Sequence, residues 1–305
     1  MSARTELLDR LAHLSSAANL PQLIDVGIVA SEHNGRANLL RKGLAIVAFN
    51  ILEDFIQNKV AEALDFVAST PVAFSSLTQD LREASTMQAL AAVLFRAKLE
   101  KKDGRDWMKL VQEEALKIHS TKNPTFALSR YSLVSSSSNV GDKEINELLS
   151  CFGIRGGWTT LKTVSDSIGG GLPDLNQSYK NAAERRHSSA HTAGFQYSHT
   201  WLANLQAEIL AIAASLDIAL TCRCRQIAAT PSVSIDSHAL TVGLKYRFLE
   251  ETGSTFRETI TIGGKSRKNW PSIQTAIAGI QPLLARRSEF LIVLDSGKRV
   301  SNWFS

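Results

Sequence analysis

The stretch from Arg36 to Val67, RANLLRKGLAIVAFNILEDFIQNKVAEALDFV, constrains this chain more than any other. It contains no proline, and its one glycine is Gly43. Leu39, Leu40, Leu44, Val47, Ile51, Phe55, Val60 and Leu64 recur mostly at intervals of three and four, the spacing that puts apolar side chains on one helical stripe. The pattern predicts a single long helix that closes before Pro71.

Other segments repeat the helical period. Leu7, Leu8, Leu11 and Leu14 predict a short amphipathic helix over 4–15. Residues 16–35 are looser, punctuated by Pro21, Asn34 and Gly35. Helices are expected at about 76–83, 86–98 and 105–119, with Asp103-Gly104 separating the last two. Residues 120–142 read as loop, with Asn123-Pro124, the serine run 135–138 and Gly141-Asp142. A helix over about 142–151 and a short one beginning near Trp158 follow. The segment SIGGGLPD (167–174) invites a phosphate-binding reading, but no Lys-Ser/Thr completes it and no strand precedes it, so it reads as a turn. Residues 175–191 and 195–225 are further helices, with Gly194 bending or separating them.

From Pro231 the composition favours β structure. Ser232–Asp236, Leu240–Phe248, Thr255–Ile262 and Phe290–Leu294 read as strands, and Glu251 to Ser254 as a turn. Trp270–Leu284 reads as a helix with Pro271 in its first turn, and Gly297 turns the chain toward Trp303. The expected architecture is mainly α: an antiparallel helical bundle over 1–228, followed by a small α+β domain over 229–305 of unknown role.

The chain has 305 residues and a formal net charge of +5. Residues 226–305 hold ten Lys/Arg against six Asp/Glu, whereas the first 225 hold 24 against 23. A modest basic excess in the C-terminal region is compatible with a polyanionic partner, but charge alone favours a solvated surface. The three cysteines, Cys151, Cys222 and Cys224, form no disulfide framework, and a lone C-x-C pair supplies only half of a tetrahedral zinc site. No leader peptide is expected at the N-terminus. The most apolar stretch, Leu202 to Leu220, carries Gln206, Glu208 and Asp217 and reads as a buried helix rather than a membrane span. A cytoplasmic location without membrane association is the expectation.

One segment concentrates chemistry. Asn181 to Gly194 reads NAAERRHSSAHTAG and holds Arg185, Arg186, His187 and His191 within seven residues. A guanidinium is a permanent cation whose donors match phosphate oxygens. An imidazole exchanges protons near neutral pH. RNA carries its own nucleophile, the 2′-hydroxyl, so this pairing suits phosphodiester cleavage without a metal. The competing readings are an ordinary surface arginine with a packed histidine, and a metal site. Glu184, His187 and His191 share a stripe, but the Glu of H-E-x-x-H is missing and His199 is the only nearby further ligand.

The run Arg186-His-Ser-Ser-Ala-His191 resembles the R-x4-H signature of HEPN domains, and the chain is most similar to their RiboL-PSP-like group over about residues 30–225. Arg41-Lys42-Gly43-Leu44 and Glu53 on the long helix, INELLSCFGI (Ile145–Ile154) before the motif, and Ala193-Gly194 after it occupy places similar to those in that group. The residue after the arginine departs from the frequent Asn or Asp: here it is His187.

The resemblance implies a metal-independent endoribonuclease with no cofactor, acting on RNA by 2′-hydroxyl attack. Arg186 would neutralise the scissile phosphate, and His191 would serve as general acid or base. His187 would position groups or support the arginine. Beside the resemblance, Arg185 reads as a flanking phosphate contact or a surface charge, and Glu53 either as a partner of Arg186 across the bundle or as an ordinary polar residue of its helix. It also implies a homodimer with a composite cleft, a toxin-like or defence role, and an antitoxin or regulatory partner. The alternatives are a HEPN module that binds RNA, nucleotide or protein without cutting, and a regulator gated by a ligand-sensing C-terminal domain. In the C-terminal region Lys265, Arg267 and Lys268 beside Trp270 form a candidate nucleic-acid contact.

Overall fold

The computed structural model describes residues 1–27, 29–134, 140–230 and 239–305. Helix α1 (Ala3–Ala18) begins at Ser2, whose hydroxyl accepts from the Thr5 amide and satisfies one of the unpaired donors of the first turn. The long apolar-striped stretch is one helix, α2 (Ser31–Ala68). It starts earlier than the apolar pattern requires and continues through Gly35, a position that costs a helix only about 1 kcal/mol relative to alanine.

The two helices expected at 76–83 and 86–98 form one continuous element. α3 (Gln79–Glu83) passes through a π-helical turn at Ala84–Gln88 into α4 (Ala89–Lys102), and this whole run holds neither Gly nor Pro to break it. α5 (Trp107–Ser120), α6 (Asp142–Cys151), α7 (Trp158–Ser167), α8 (Leu175–His191) and α9 (His199–Ala229) follow. By length and composition α9 could cross a membrane, but 78% of its most apolar window is buried inside the protein.

The C-terminal region is a mixed sheet with strand order β3-β2-β1-β4-β5. Its strands are β1 (Tyr246–Thr252), β2 (Thr255–Thr259), β3 (Lys268–Trp270), β4 (Phe290–Leu294) and β5 (Val300–Phe304). β1 and β4 run parallel, with Phe248 opposite Ile292, and the other pairs are antiparallel. Helix α10 (Ile273–Arg287) packs Ala276, Ile280 and Leu284 on Leu249, Leu291 and Val293 of the sheet.

Three expectations for this region are corrected. Leu240–Gly243 form a short 3-10 turn and the strand begins only at Tyr246. The turn is held by the Cys222 thiol, which donates to the Leu240 carbonyl at 3.6 Å. Trp270 ends a strand instead of opening a helix. Its indole N–H donates to Glu258 at 3.0 Å, and its ring lies where a side chain at Gly279 would stand. Ser272 is the cap of α10, accepting from the Thr275 amide. Val300–Phe304 is a fifth strand that Ser301 and Asn302 disguise in the sequence. The strand expected at Ser232–Asp236 lies outside the described residues.

The chain divides into two compact units. The first comprises Met1–Phe55, Leu161–Leu216 and Lys245–Ser305. Within it the sheet is tied to the early helices. Trp303 of β5 is buried edge-on against Phe55 of α2, and Arg4 of α1 donates to Asn302 and the Trp303 carbonyl with its guanidinium 4.2 Å from the Phe304 ring centre. Helix α9 ends at Ala229 and the first strand begins at Tyr246, while the compact units follow packing. In this same unit the glycine run is a turn against the β4–β5 connection. Gly169 has φ +75°, its carbonyl accepts from Val300, and a Cβ there would lie 2.6 Å from the Lys298 carbonyl oxygen.

The second unit comprises Ile56–Thr160 and Asp217–Leu244. Lys59 and Asp217 form a buried ion pair at 2.8 Å in it. Arg223 donates to the Gly153 carbonyl, and the Trp158 indole to the Asp142 carbonyl.

Candidate active site

The motif helix α8 starts at Asp174, whose carboxylate accepts from the Gln177 amide at 2.8 Å. Leu175, Tyr179, Ala182 and Ser189 are its buried residues. They follow a 4, 3, 7 spacing, and the position that completes the stripe between Ala182 and Ser189 is Arg186. Tyr179 packs on Phe49 of α2 with ring centres 5.6 Å apart. Arg186 is thus an arginine on the inward stripe of its helix. It is half-buried, its Nε is shielded from solvent without a hydrogen-bond partner, and it forms no ion pair among the described residues. The Ser189 hydroxyl, one turn further on, is likewise buried and unpartnered. Buried donors in proteins are nearly always satisfied, and an orphaned one costs about 1–3 kcal/mol.

Arg185 has the opposite fate. Its Nη2 meets the Glu208 carboxylate of α9 at 2.7 Å, its Nε donates to the Asn181 carbonyl, and its guanidinium lies 5.7 Å from the centre of the Trp201 ring. Burial pushes the Glu208 carboxyl up from its ordinary pKa, and Arg185 partly offsets that. Two adjacent arginines are therefore distinguished: one is neutralised within the protein, the other is not.

His191 is the last residue of α8 and is exposed, as is His187 one turn before it. Their rings lie 4.7 Å apart, inclined at 47°. Arg186 and His191 are five residues apart, about 140° around a regular helix, so the histidine pair and the inward arginine occupy different sides of the helix end.

The loop that follows the motif is held by the start of α2. Asn38 donates to the Phe195 carbonyl at 3.1 Å and accepts from the Tyr197 amide at 2.7 Å. Arg41, only 3% exposed, donates to the carbonyls of Tyr197 and Leu23, both at 2.6 Å, and pairs with Asp25. Lys42 caps the end of α8 by donating to the Thr192 carbonyl at 2.9 Å. Phe195, Tyr197 and Trp201 then form an aromatic cluster, with Phe195 and Trp201 nearly parallel at 19° and 6.2 Å. Burial raises the Tyr197 hydroxyl to a pKa of about 12. Residue spacing pointed to none of Asn38, Lys42, Glu208 and Trp201, because each acts on a partner distant in sequence or through its ring.

Other expected site residues fall elsewhere. Glu53 is buried on α2 and engaged, but not with Arg186, so the expected Glu53–Arg186 pair is not formed. Among the described residues no three His, Cys, Asp or Glu side chains converge as a metal set, and Glu184, His187, His191 and His199 are no exception. Cys222 and Cys224 donate to separate carbonyls, those of Leu240 and Ala63. Lys265, Arg267 and Lys268 are exposed at the outer strand of the sheet. The Lys268 ammonium lies 3.6 Å from the Trp270 ring centre, so that aromatic face is already occupied by a cation.

A helical frame with an R-x4-H motif closing a late helix is the arrangement of a HEPN domain. The model of the RiboL-PSP-HEPN family matches residues 5–221, and the chain belongs to that family. No curated protein and no solved structure matches it. Family membership associates the chain with nuclease or other RNA-related function in general.

Proposed function

We propose that the protein is a metal-independent endoribonuclease that cleaves RNA by attack of the 2′-hydroxyl on the adjacent phosphate, leaving a cyclic phosphate end. The carrying observation is Arg186: a half-buried arginine on the inward stripe of α8 with no ion pair among the described residues, next to an arginine whose charge is already compensated. The donors at the end of its guanidinium match a phosphate oxygen. In this reading Arg186 holds the scissile phosphate and disperses the charge that grows on it in the transition state. His191 moves the proton, either from the 2′-hydroxyl or to the leaving 5′-oxygen. His187, in ring contact with His191, orients it.

One chain presents the arginine and the histidine on different sides of a helix end. That suits a cleft completed by a second copy, so that the two roles are filled across a twofold axis. Leu39, Leu40 and Val47 support such pairing: they are exposed apolar residues on α2, the helix that clamps the loop after the motif. A toxin-like or defence role, with an antitoxin or other regulatory partner restraining the nuclease in the cytoplasm, belongs to the same proposal.

The test is cleavage of total RNA and tRNA in EDTA by the wild type and by Arg186→Ala and His191→Ala. The expected result is cleavage by the wild type with loss of at least about 100-fold in each variant. Equal cleavage by all three refutes the assignment. Silence from a folded wild-type dimer would favour a module that binds RNA without cutting it.

A further inference from the structure

Helices α3 and α4, joined through the π-helical turn at Ala84–Gln88, form one element from Gln79 to Lys102, about 35 Å long at the usual helical rise. Its apolar side chains are sorted the wrong way round for a helix that only serves its own core. The buried positions of α4 are Ala89, Ala92, Val93 and Ala97, none larger than valine. The large residues face outward: Met87, Leu90 and Leu94 are 69%, 53% and 57% exposed, with Phe95 and Leu99 beside them. Single apolar side chains are often left open, but a continuous row of them marks a surface that another surface covers.

The charges on the same row say what that surface is. Asp80 and Glu83 open the exposed row, Met87, Leu90, Ala91 and Leu94 form its middle, and Lys98 and Lys101 close it, all at helical spacing. The row is therefore acidic, then apolar, then basic, and turned end for end it matches itself. About a twofold axis at the midpoint between Leu90 and Ala91, Glu83 meets Lys98, Asp80 meets Lys101 and Met87 meets Leu94, each pair occurring twice. Glu83 and Lys98 form no ion pair among the described residues. Asp80 accepts only from the Ser150 hydroxyl, at 2.7 Å, and the Lys101 ammonium stands 5.4 Å from the Trp107 ring centre. Asp80 and Glu83 also line a cavity of about 220 Å³ with Glu144 and Glu147 of α6. The end of the row that would receive lysines is thus negative in depth and has room for their stems.

We propose that a second copy of this chain docks on this face, α3–α4 against α3–α4 in antiparallel register. An anionic membrane would attract Lys98 and Lys101 but repel Asp80 and Glu83 on the same row. A protein partner of one charge sign meets the same conflict. A surface reversed end for end satisfies both ends, and the chain itself supplies one. The contact uses no residue of the R-x4-H motif and does not rest on the nuclease reading. Where pairing through α2 also forms, the two contacts together build assemblies larger than a dimer.

The experiment is sedimentation equilibrium of the full chain over a range of concentrations, with Glu83→Lys, Lys98→Glu and Leu94→Asp as variants, each checked by its melting temperature. Each variant should weaken the association step at this face by at least about tenfold, because a twofold contact doubles every change. The decisive sample is the equimolar mixture of Glu83→Lys with Lys98→Glu. Every cation of one chain then faces a carboxylate of the other at both contacts, so affinity should return to within about threefold of wild type. Leu94→Asp should be rescued by neither. Association through α2 would persist in every sample and is told apart in that way. A wild type with no self-association up to about 100 μM, variants that associate as the wild type does, or a mixture no tighter than its separate components would each overturn the proposal.

Discussion

Arg41 is the residue on which the post-motif loop depends most, and its removal has a calculable effect. Replacing it with methionine keeps the aliphatic stem in place but deletes the guanidinium. Two buried carbonyls, those of Tyr197 and Leu23, lose donors at 2.6 Å. Hydrogen bonds from a charged donor contribute about 1.5–3 kcal/mol each, and a buried acceptor left empty is as expensive. The Asp25 ion pair adds little, because the Asp25 carboxylate is half exposed and screened by solvent. Arg41→Met should therefore cost about 3–5 kcal/mol, whereas Asp25→Asn should cost less than about 1 kcal/mol. The assay is urea unfolding read as a change in midpoint at constant slope, with hydrogen exchange over residues 192–199 to localise the loosening. A loss below about 1.5 kcal/mol in Arg41→Met, or equal losses in the two variants, would refute the carbonyl clamp and leave the ion pair as the holding contact.

Further outcomes follow from contacts elsewhere. Arg185→Ala strands a carboxylate that burial already disfavours, so stability at neutral pH should fall by about 2–4 kcal/mol. Because Glu208 has a raised folded pKa, its contribution is greatest below the unfolded value and declines as pH rises. The melting-temperature deficit of Arg185→Ala should therefore shrink from pH 8 toward pH 5, and a constant deficit would exclude Glu208 as the cause. Burial lifts the thiols of Cys151 and Cys224 to about 12 and that of Cys222 to about 11. All three should resist a thiol reagent at neutral pH until urea is added, and fast labelling of the folded protein would contradict their burial. The same shifts predict stability that is full below the unfolded thiol value of about 9 and is lost as pH climbs toward 12. Gly169→Ala combines a positive φ with a clash against the Lys298 carbonyl, and should lower the melting temperature by an amount equivalent to about 1–3 kcal/mol; an unchanged melt would mean the turn relaxes freely.

The helices were legible because they are local. An apolar residue every three or four positions can bury its stripe only as a helix, so α1 and α2 follow from spacing; the bounds expected for α8, 175–191, are those observed, whereas α9 runs over His199–Ala229 instead of 195–225. The sheet was less legible. Strands have no partner within their own segment, and β3 and β5 exist because β2 and β4 offer them edges. Trp270 looked like the start of a helix for the same reason, since the position of Gly279 beneath its ring is a tertiary fact.

The motif itself divides along this line. Its composition announced phosphate chemistry, whereas the place of Arg186 on the inward stripe of α8 is known only from the burial of Leu175, Tyr179, Ala182 and Ser189. What spacing could not assign was which arginine is spent. Arg185 and Arg186 are neighbours with identical chemistry, and only the placement of Glu208, twenty-three residues on, neutralises the first and leaves the second unclaimed. Nor could it show Asn38 and Arg41 reaching a loop more than 150 residues distant. Local periodicity specifies which backbone forms and which face it buries. The partner of each buried charge depends on how those faces come together, and so on the packed chain as a whole.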